Sequence, residues 1–129
     1  MKKKMVSEWK FGYKVVAEHL EGTLCSPCGG GLLYKIREAT VPQIGYGPLA
    51  VFTNRKGAER FAERMFGRIK IFRCVFKESP FRMLWYGNYE KNAISEKRLL
   101  AMNPDCLLPE TLGFASEVIL LEEVKEEEE

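Results

Sequence analysis

The sequence predicts a single α+β domain: a mixed or mainly antiparallel sheet of about five strands, one main helix packed on it and a second short helix. Three observations lead there. Runs of β-branched and aromatic residues recur between Gly/Pro breaks, as short strands require. Residues 49–76 read as strand, helix, strand, with one apolar side to the helix. A chain of 129 residues with 46% hydrophobic content is also large enough to bury one core without disulfide or metal staples. The domain is expected over residues 1–121, followed by an acidic tail at 122–129.

The first strand falls at Gly12-Tyr13-Lys14-Val15-Val16-Ala17, where β-formers concentrate. From Glu21 to Gly31 the chain carries Gly22, Pro27, Gly29, Gly30 and Gly31, residues that favour reversals, so a loop is expected. Leu32, Tyr34 and Ile36 then alternate with Leu33, Lys35 and Arg37, which predicts a second strand ending near Glu38. A break follows from Val41-Pro42 through Gly47-Pro48.

Leu49-Ala50-Val51-Phe52 is a short apolar run, bounded by Thr53-Asn54, both good helix N-caps. A helix is predicted from Asn54 to Phe66. Its apolar stripe is Ala58, Phe61, Ala62 and Met65, at i, i+3, i+4 and i+7, and Gly67 is placed to end it in a left-handed C′ conformation. Ile69 to Phe76 is dense in β-formers on both alternating faces, so a central strand with little exposed surface should follow. Ser79 to Asn92 has no clean period and reads as irregular. A short helix is expected from Ser95, as N-cap, to Met102, stopped by Asn103-Pro104. Glu117-Val118-Ile119-Leu120-Leu121 reads as a buried terminal strand.

Asp105 is the sole aspartate and Gln43 the sole glutamine, beside 18 acidic residues in all, a usage that leans toward thermophile chains. The formal net charge of +2 hides an asymmetry, because residues 122–129 are all glutamate except Val124 and Lys125. A basic body with a solvated acidic tail results. No stretch approaches the roughly 18 apolar residues of a bilayer-spanning helix, and Met1-Lys2-Lys3-Lys4 is not followed by an apolar segment. A soluble, unsecreted, cytoplasmic protein without a membrane partner is therefore expected.

Cys25-Ser26-Pro27-Cys28-Gly29 has a C-x-x-C-G form in which two thiolates can hold zinc. A closed tetrahedral site needs two further ligands, while Cys74 and Cys106 stand singly and His19 is the only imidazole. The same pair could form a disulfide, or Cys25 and Cys28 could be plain buried or loop thiols. Redox chemistry of the thioredoxin kind places its pair at the start of a helix, whereas three glycines follow here.

On the main helix Lys56, Arg60, Arg64 and Arg68 repeat every four residues as a basic ridge, diluted by Glu59 and Glu63 beside Arg55. Arg82, Trp85, Tyr86 and Tyr89 combine a guanidinium with aromatic rings, a mixture suited to stacking on bases or anchoring a protein. The same rings could instead form a lid over a small core. Walker loop, G-x-G-x-x-G, H-E-x-x-H and G-x-S-x-G signatures are missing, so the sequence names neither a reaction nor a cofactor.

Tyr13-Lys14-Val15-Val16, Ser26, Tyr34, Gly47-Pro48-Leu49-Ala50-Val51-Phe52, Ala58, Phe61-Ala62 and Cys74 together resemble small uncharacterised prokaryotic and phage proteins, a likeness that implies no activity. The stretch from Gly47-Pro48 through Thr53, Ala58 and Phe61-Ala62 into Ile69 to Val75 also resembles the strand, helix, strand module of ADP-ribosyltransferase-like domains. That likeness implies a transferase in which His19, Thr53 and Glu117 converge on one cleft beside Tyr34 or Tyr46. In that family an early His or Arg followed by Gly-Thr or Gly-Ser helps bind NAD; here Leu20-Glu21 separates His19 from Gly22-Thr23. The leading expectation is a non-enzymatic accessory domain whose partner, a protein or a nucleic acid, meets the aromatic loop or the basic ridge. A transferase of that kind and a zinc-stabilised interaction domain are its rivals.

Overall fold

Alternation along the long strands decides the architecture. The computed structural model describes residues 8–26, 32–43, 47–65, 67–81, 83–84, 94–95 and 111–125. In chain order it contains β1 (Trp9–Glu18), β2 (Leu24–Cys25), β3 (Leu33–Tyr34), β4 (Ala39–Thr40), β5 (Leu49–Phe52), α1 (Arg55–Glu63), β6 (Ile69–Glu78), β7 (Met83–Leu84), β8 (Ile94–Ser95) and β9 (Leu112–Glu123). Seven strands make one sheet, in which every pairing is antiparallel, and β7 and β8 pair separately. No helix among the described residues is long and apolar enough to cross a membrane.

The sheet closes on itself. β1 pairs with β6 from Trp9 to Ala17, β6 with β9, β9 with β5, and β5 returns to β1 through Tyr13 opposite Phe52. A ring of strands removes edges that would otherwise offer unpaired backbone groups. Closure brings chains close together, and Gly12 is where that is felt: a Cβ there would stand 2.8 Å from the Phe52 carbonyl oxygen and 2.8 Å from the Phe76 ring. Past the meeting with β5, β2 takes over the free edge of β1 at Ala17 and Glu18, and β4 takes that of β9 at Val118 and Ile119.

Two register shifts bend β9 around the ring. Lys77 faces Glu117 while Glu78 faces Ala115, so Ser116 is an extra residue; Arg73 faces Glu122 while Cys74 faces Leu120, so Leu121 is another. Each bulge adds local twist and reverses which side the next residues face. Ala115 lies inward before Ser116, and Val118 and Leu120 lie inward after it, although their numbers differ in parity. The Ser116 hydroxyl donates to the Lys77 carbonyl at 3.4 Å beside the bulge.

Two apolar clusters result. Inside the ring lie Val16, Leu24, Tyr34, Leu49, Val51, Phe72, Cys74, Phe76, Ala115, Val118 and Leu120. Outside it, Val15, Phe52, Leu112 and Phe114 pack with Ala58, flanked by Tyr13, Phe61, Ala62, Ile69 and Ile71. This second cluster is the interface with α1. The Phe52 and Phe61 rings meet at 5.4 Å between centroids. Asn54 starts the helix by accepting from the Gly57 amide at 2.8 Å, which satisfies one of the amides left open at a helix N-terminus. Residues 49–76 thus form the expected strand, helix, strand unit, with Phe61 and Met65 half-buried.

Several local expectations change. The helix stops at Glu63 rather than Phe66, because Arg64 and Met65 amides turn back to the Phe61 and Ala62 carbonyls in i to i−3 bonds. Gly67 is left-handed, with φ +96°, but lies beyond the helix end rather than at C′. Leu24–Cys25 is a strand inside the expected loop, and the strand expected to Glu38 ends at Tyr34. Residues 36–38 turn instead, with Arg37 at φ 73°, and Ile36 is exposed; β4 follows where no strand was expected. β6 is central but one-sided: Phe72, Cys74 and Phe76 are buried, whereas Arg73 is exposed. Met83–Leu84 breaks the expected irregular segment, and Ser95 belongs to β8 rather than capping a helix. The rest of that second helix, through Met102, lies outside the described residues.

Candidate functional site

The inside of the ring contains a buried cation. Lys14 lies in register with Gly12 and Val16 on the inner side of β1; it is buried, its Nζ donates to the Ala50 carbonyl at 2.7 Å, and it stands 5.3 Å from the Tyr34 ring centroid. Burial pushes the Cys74 thiol up to about 12, with the Lys14 charge pulling it part of the way back. Burial also raises the Tyr34 hydroxyl, helped by Cys74, so both groups stay protonated at neutral pH. Among the described residues the Tyr34 hydroxyl has no hydrogen-bond partner. A protonated, enclosed thiol is a poor nucleophile.

The outer side of the ring divides. α1 covers Val15 and its neighbours, but among the described residues no helix covers the part of the wall built from the start of β1, the end of β6 and the middle of β9. Phe11 stands there 79% exposed, opposite Val75, which in turn faces Ile119 and then Ala39. In the adjacent row Trp9, 41% exposed, lies opposite Lys77, which faces Glu117. Lys77 Nζ sits 4.7 Å from the Trp9 ring centroid and 3.6 Å from Glu117 Oε1. The patch is apolar along its middle and charged at its rim.

Those charges come in pairs. Besides Lys77 with Glu117, Arg73 meets Glu122 at 3.3 Å on this face, while elsewhere on the sheet Lys10 meets Glu78 at 3.1 Å, Lys70 meets Glu123 at 3.4 Å and Arg68 meets Glu18 at 3.4 Å. Exposed pairs contribute little stability, but they do neutralise the local field. Of the expected basic ridge, Lys56 and Arg60 are exposed on α1 and Arg64 is exposed at its C-cap, whereas Arg68 lies past the helix in its pair with Glu18. Arg55 is engaged by Glu59 at 2.8 Å and by the Lys125 carbonyl at 2.9 Å. Arg82, Trp85, Tyr86 and Tyr89 lie outside the described residues, as do Tyr46, Cys28 and Cys106.

His19, Thr53 and Glu117 are not brought together. Thr53 is anchored beside Thr111 through its amide, and Phe52 before it pairs with Tyr13 in the middle of β1. Glu117 belongs to the row of Trp9, at one end of β1; His19 lies past the other end, roughly 30 Å of strand away. Glu117 serves in an ion pair with Lys77.

His19 has a partner that the sequence did not reveal. The chain reverses at residues 20–22, where the Gly22 amide bonds to the His19 carbonyl at 2.8 Å and Gly22 takes φ +94°. The His19 amide then bonds to the Thr23 carbonyl at 2.9 Å, and Cys25 falls opposite Ala17. This hairpin puts Cys25 Sγ 3.2 Å from His19 Nε2. The imidazole is exposed and the free thiol buried. Gly22, a residue suited to a tight reversal, was the available signal. No group of three or more metal-ligating side chains occurs among the described residues.

No family model, no curated protein and no solved structure matches the chain.

Proposed function

We propose that this chain is a small accessory domain that binds a protein partner through the outer face of β1, β6 and β9. The observation that carries the reading is Phe11: a phenylalanine 79% exposed near the start of β1, with Val75 and Ile119 continuing its row and Trp9 beside it. Burying such a ring against a partner contributes about 2 kcal/mol, which folding of the monomer leaves ungained. Aromatic anchors surrounded by a polar rim are the usual make-up of the energetic centre of a protein interface.

The charge pattern favours a protein over a nucleic acid. Phosphate binding draws on uncompensated Lys and Arg, and on this face Lys77 and Arg73 each stand within ion-pair reach of a glutamate. A rim carrying both signs suits a partner surface that also carries both. Separation of His19, Thr53 and Glu117 gives the transferase reading no geometric support.

Affinity capture from nuclease-treated extract of the native cells tests the reading. Wild type and a Lys56→Glu/Arg60→Glu variant should retain the same protein, and Phe11→Ser should lose it. Retention by Phe11→Ser with loss in the charge-reversal variant would overturn the assignment in favour of the helix face.

A further inference from the structure

We propose that His19 and Cys25 are paired ligands of a thiophilic divalent cation of the zinc class. The inference is independent of the interaction face, since it rests on the opposite end of β1. Two ligands of one tetrahedral zinc, with sulfur at about 2.3 Å and nitrogen at about 2.0 Å, lie about 3.5 Å apart. Cys25 Sγ and His19 Nε2 stand 3.2 Å apart, so a small rotation of the exposed imidazole opens room for the ion between them.

The pair is held by backbone rather than by chance contact of long side chains. Cys25 is fixed opposite Ala17 in the ladder, and the Ser26 amide bonds to the Leu32 carbonyl at 2.8 Å, so the strand after the turn is clamped on both sides. His19 is fixed by bonds through both its amide and its carbonyl to the reversal. One ligand is buried and the other faces solvent, which combines a dry thiol with access for the ion. Binding replaces the proton of the Cys25 thiol by the cation, and that proton goes to solvent. Cys28, at C-x-x-C spacing, is the sequence's candidate for a further ligand; it lies outside the described residues, and the assignment of His19 and Cys25 does not depend on it.

The test is titration of the full, reduced chain with cobalt(II), followed by displacement with zinc. Wild type should develop a thiolate-to-cobalt charge-transfer band at one equivalent, and zinc should abolish it. Cys25→Ser should show no such band. His19→Ala, a change at an exposed side chain that leaves the fold intact by circular dichroism, should weaken binding by at least the roughly 10- to 100-fold seen for losses of outer-shell partners. A wild type without the band would overturn the proposal, and so would a band of undiminished strength and affinity in His19→Ala; the pair would then be a sulfur–imidazole hydrogen bond only.

Discussion

Phe11 and Val15 point from the same strand toward the same side of the sheet, yet one is 79% exposed and the other 2%. The difference is the reach of the helix. α1 spans Arg55–Glu63 and so extends roughly 13 Å, whereas β1 from Trp9 to Glu18 extends roughly 30 Å. One short helix covers about half of the wall, and the end of the sheet beyond its reach still carries Trp9, Phe11, Val75 and Ile119. A wall that were solvent-facing for good would be expected to alternate into polar residues there. The covered half holds the fold together; the open half is the part for which we propose a binding role.

The contrast can be broken by mutation. The largest effect belongs to the covered half: Phe52→Ala removes a ring packed on Phe61 and should cost about 3–5 kcal/mol in urea unfolding. A loss under about 1 kcal/mol, below the usual range for such truncations, would mean that α1 does not seal this side. Next comes the seam between the halves, where β5 meets β1. Gly12→Val forces a side chain against the Phe52 carbonyl and the Phe76 ring, with an expected loss of about 1–3 kcal/mol. An unchanged midpoint would show that the ring is not closed at Tyr13 and Phe52. The smallest effect belongs to the open half, where Phe11→Ser should shift stability by no more than about 0.5 kcal/mol. A large loss would reveal that Phe11 is covered in the isolated protein.

The sequence disclosed what periodicity can disclose. β1, β5, α1 and β6 were legible because each shows a run, a stripe or a cap: Val15-Val16, Leu49 to Phe52, Asn54, Ala58 with Phe61 and Ala62, and Ile69 to Phe76. Strands of two residues, such as Leu24–Cys25 and Ala39–Thr40, are shorter than any period and exist only because long neighbours present edges to them. The apolar run Val118-Ile119-Leu120-Leu121 concealed its alternation, since bulges at Ser116 and Leu121 reset which residues face inward. Closure of the ring depends on Tyr13 meeting Phe52, a long-range event with no local mark except Gly12.

The candidate sites divide in the same way. Cys25 was visible as half of a C-x-x-C pair, but its approach to His19 needed the hairpin at Gly22. Glu117 looked like an acid at a strand mouth and became the ion-pair partner of Lys77 once the register was known. Phe11 drew no notice because it falls just before the strand expected at Gly12 to Ala17, whereas β1 begins at Trp9. It lies beyond the span of α1.

Site-specific photo-crosslinking tests the open face most directly. With a benzophenone amino acid in place of Phe11, the chain in its native cells should form an adduct to one other protein, and the same probe in place of Lys56 on α1 should not. Adducts at position 56 with none at position 11, or an adduct at position 11 only to a second copy of the chain, would contradict the account.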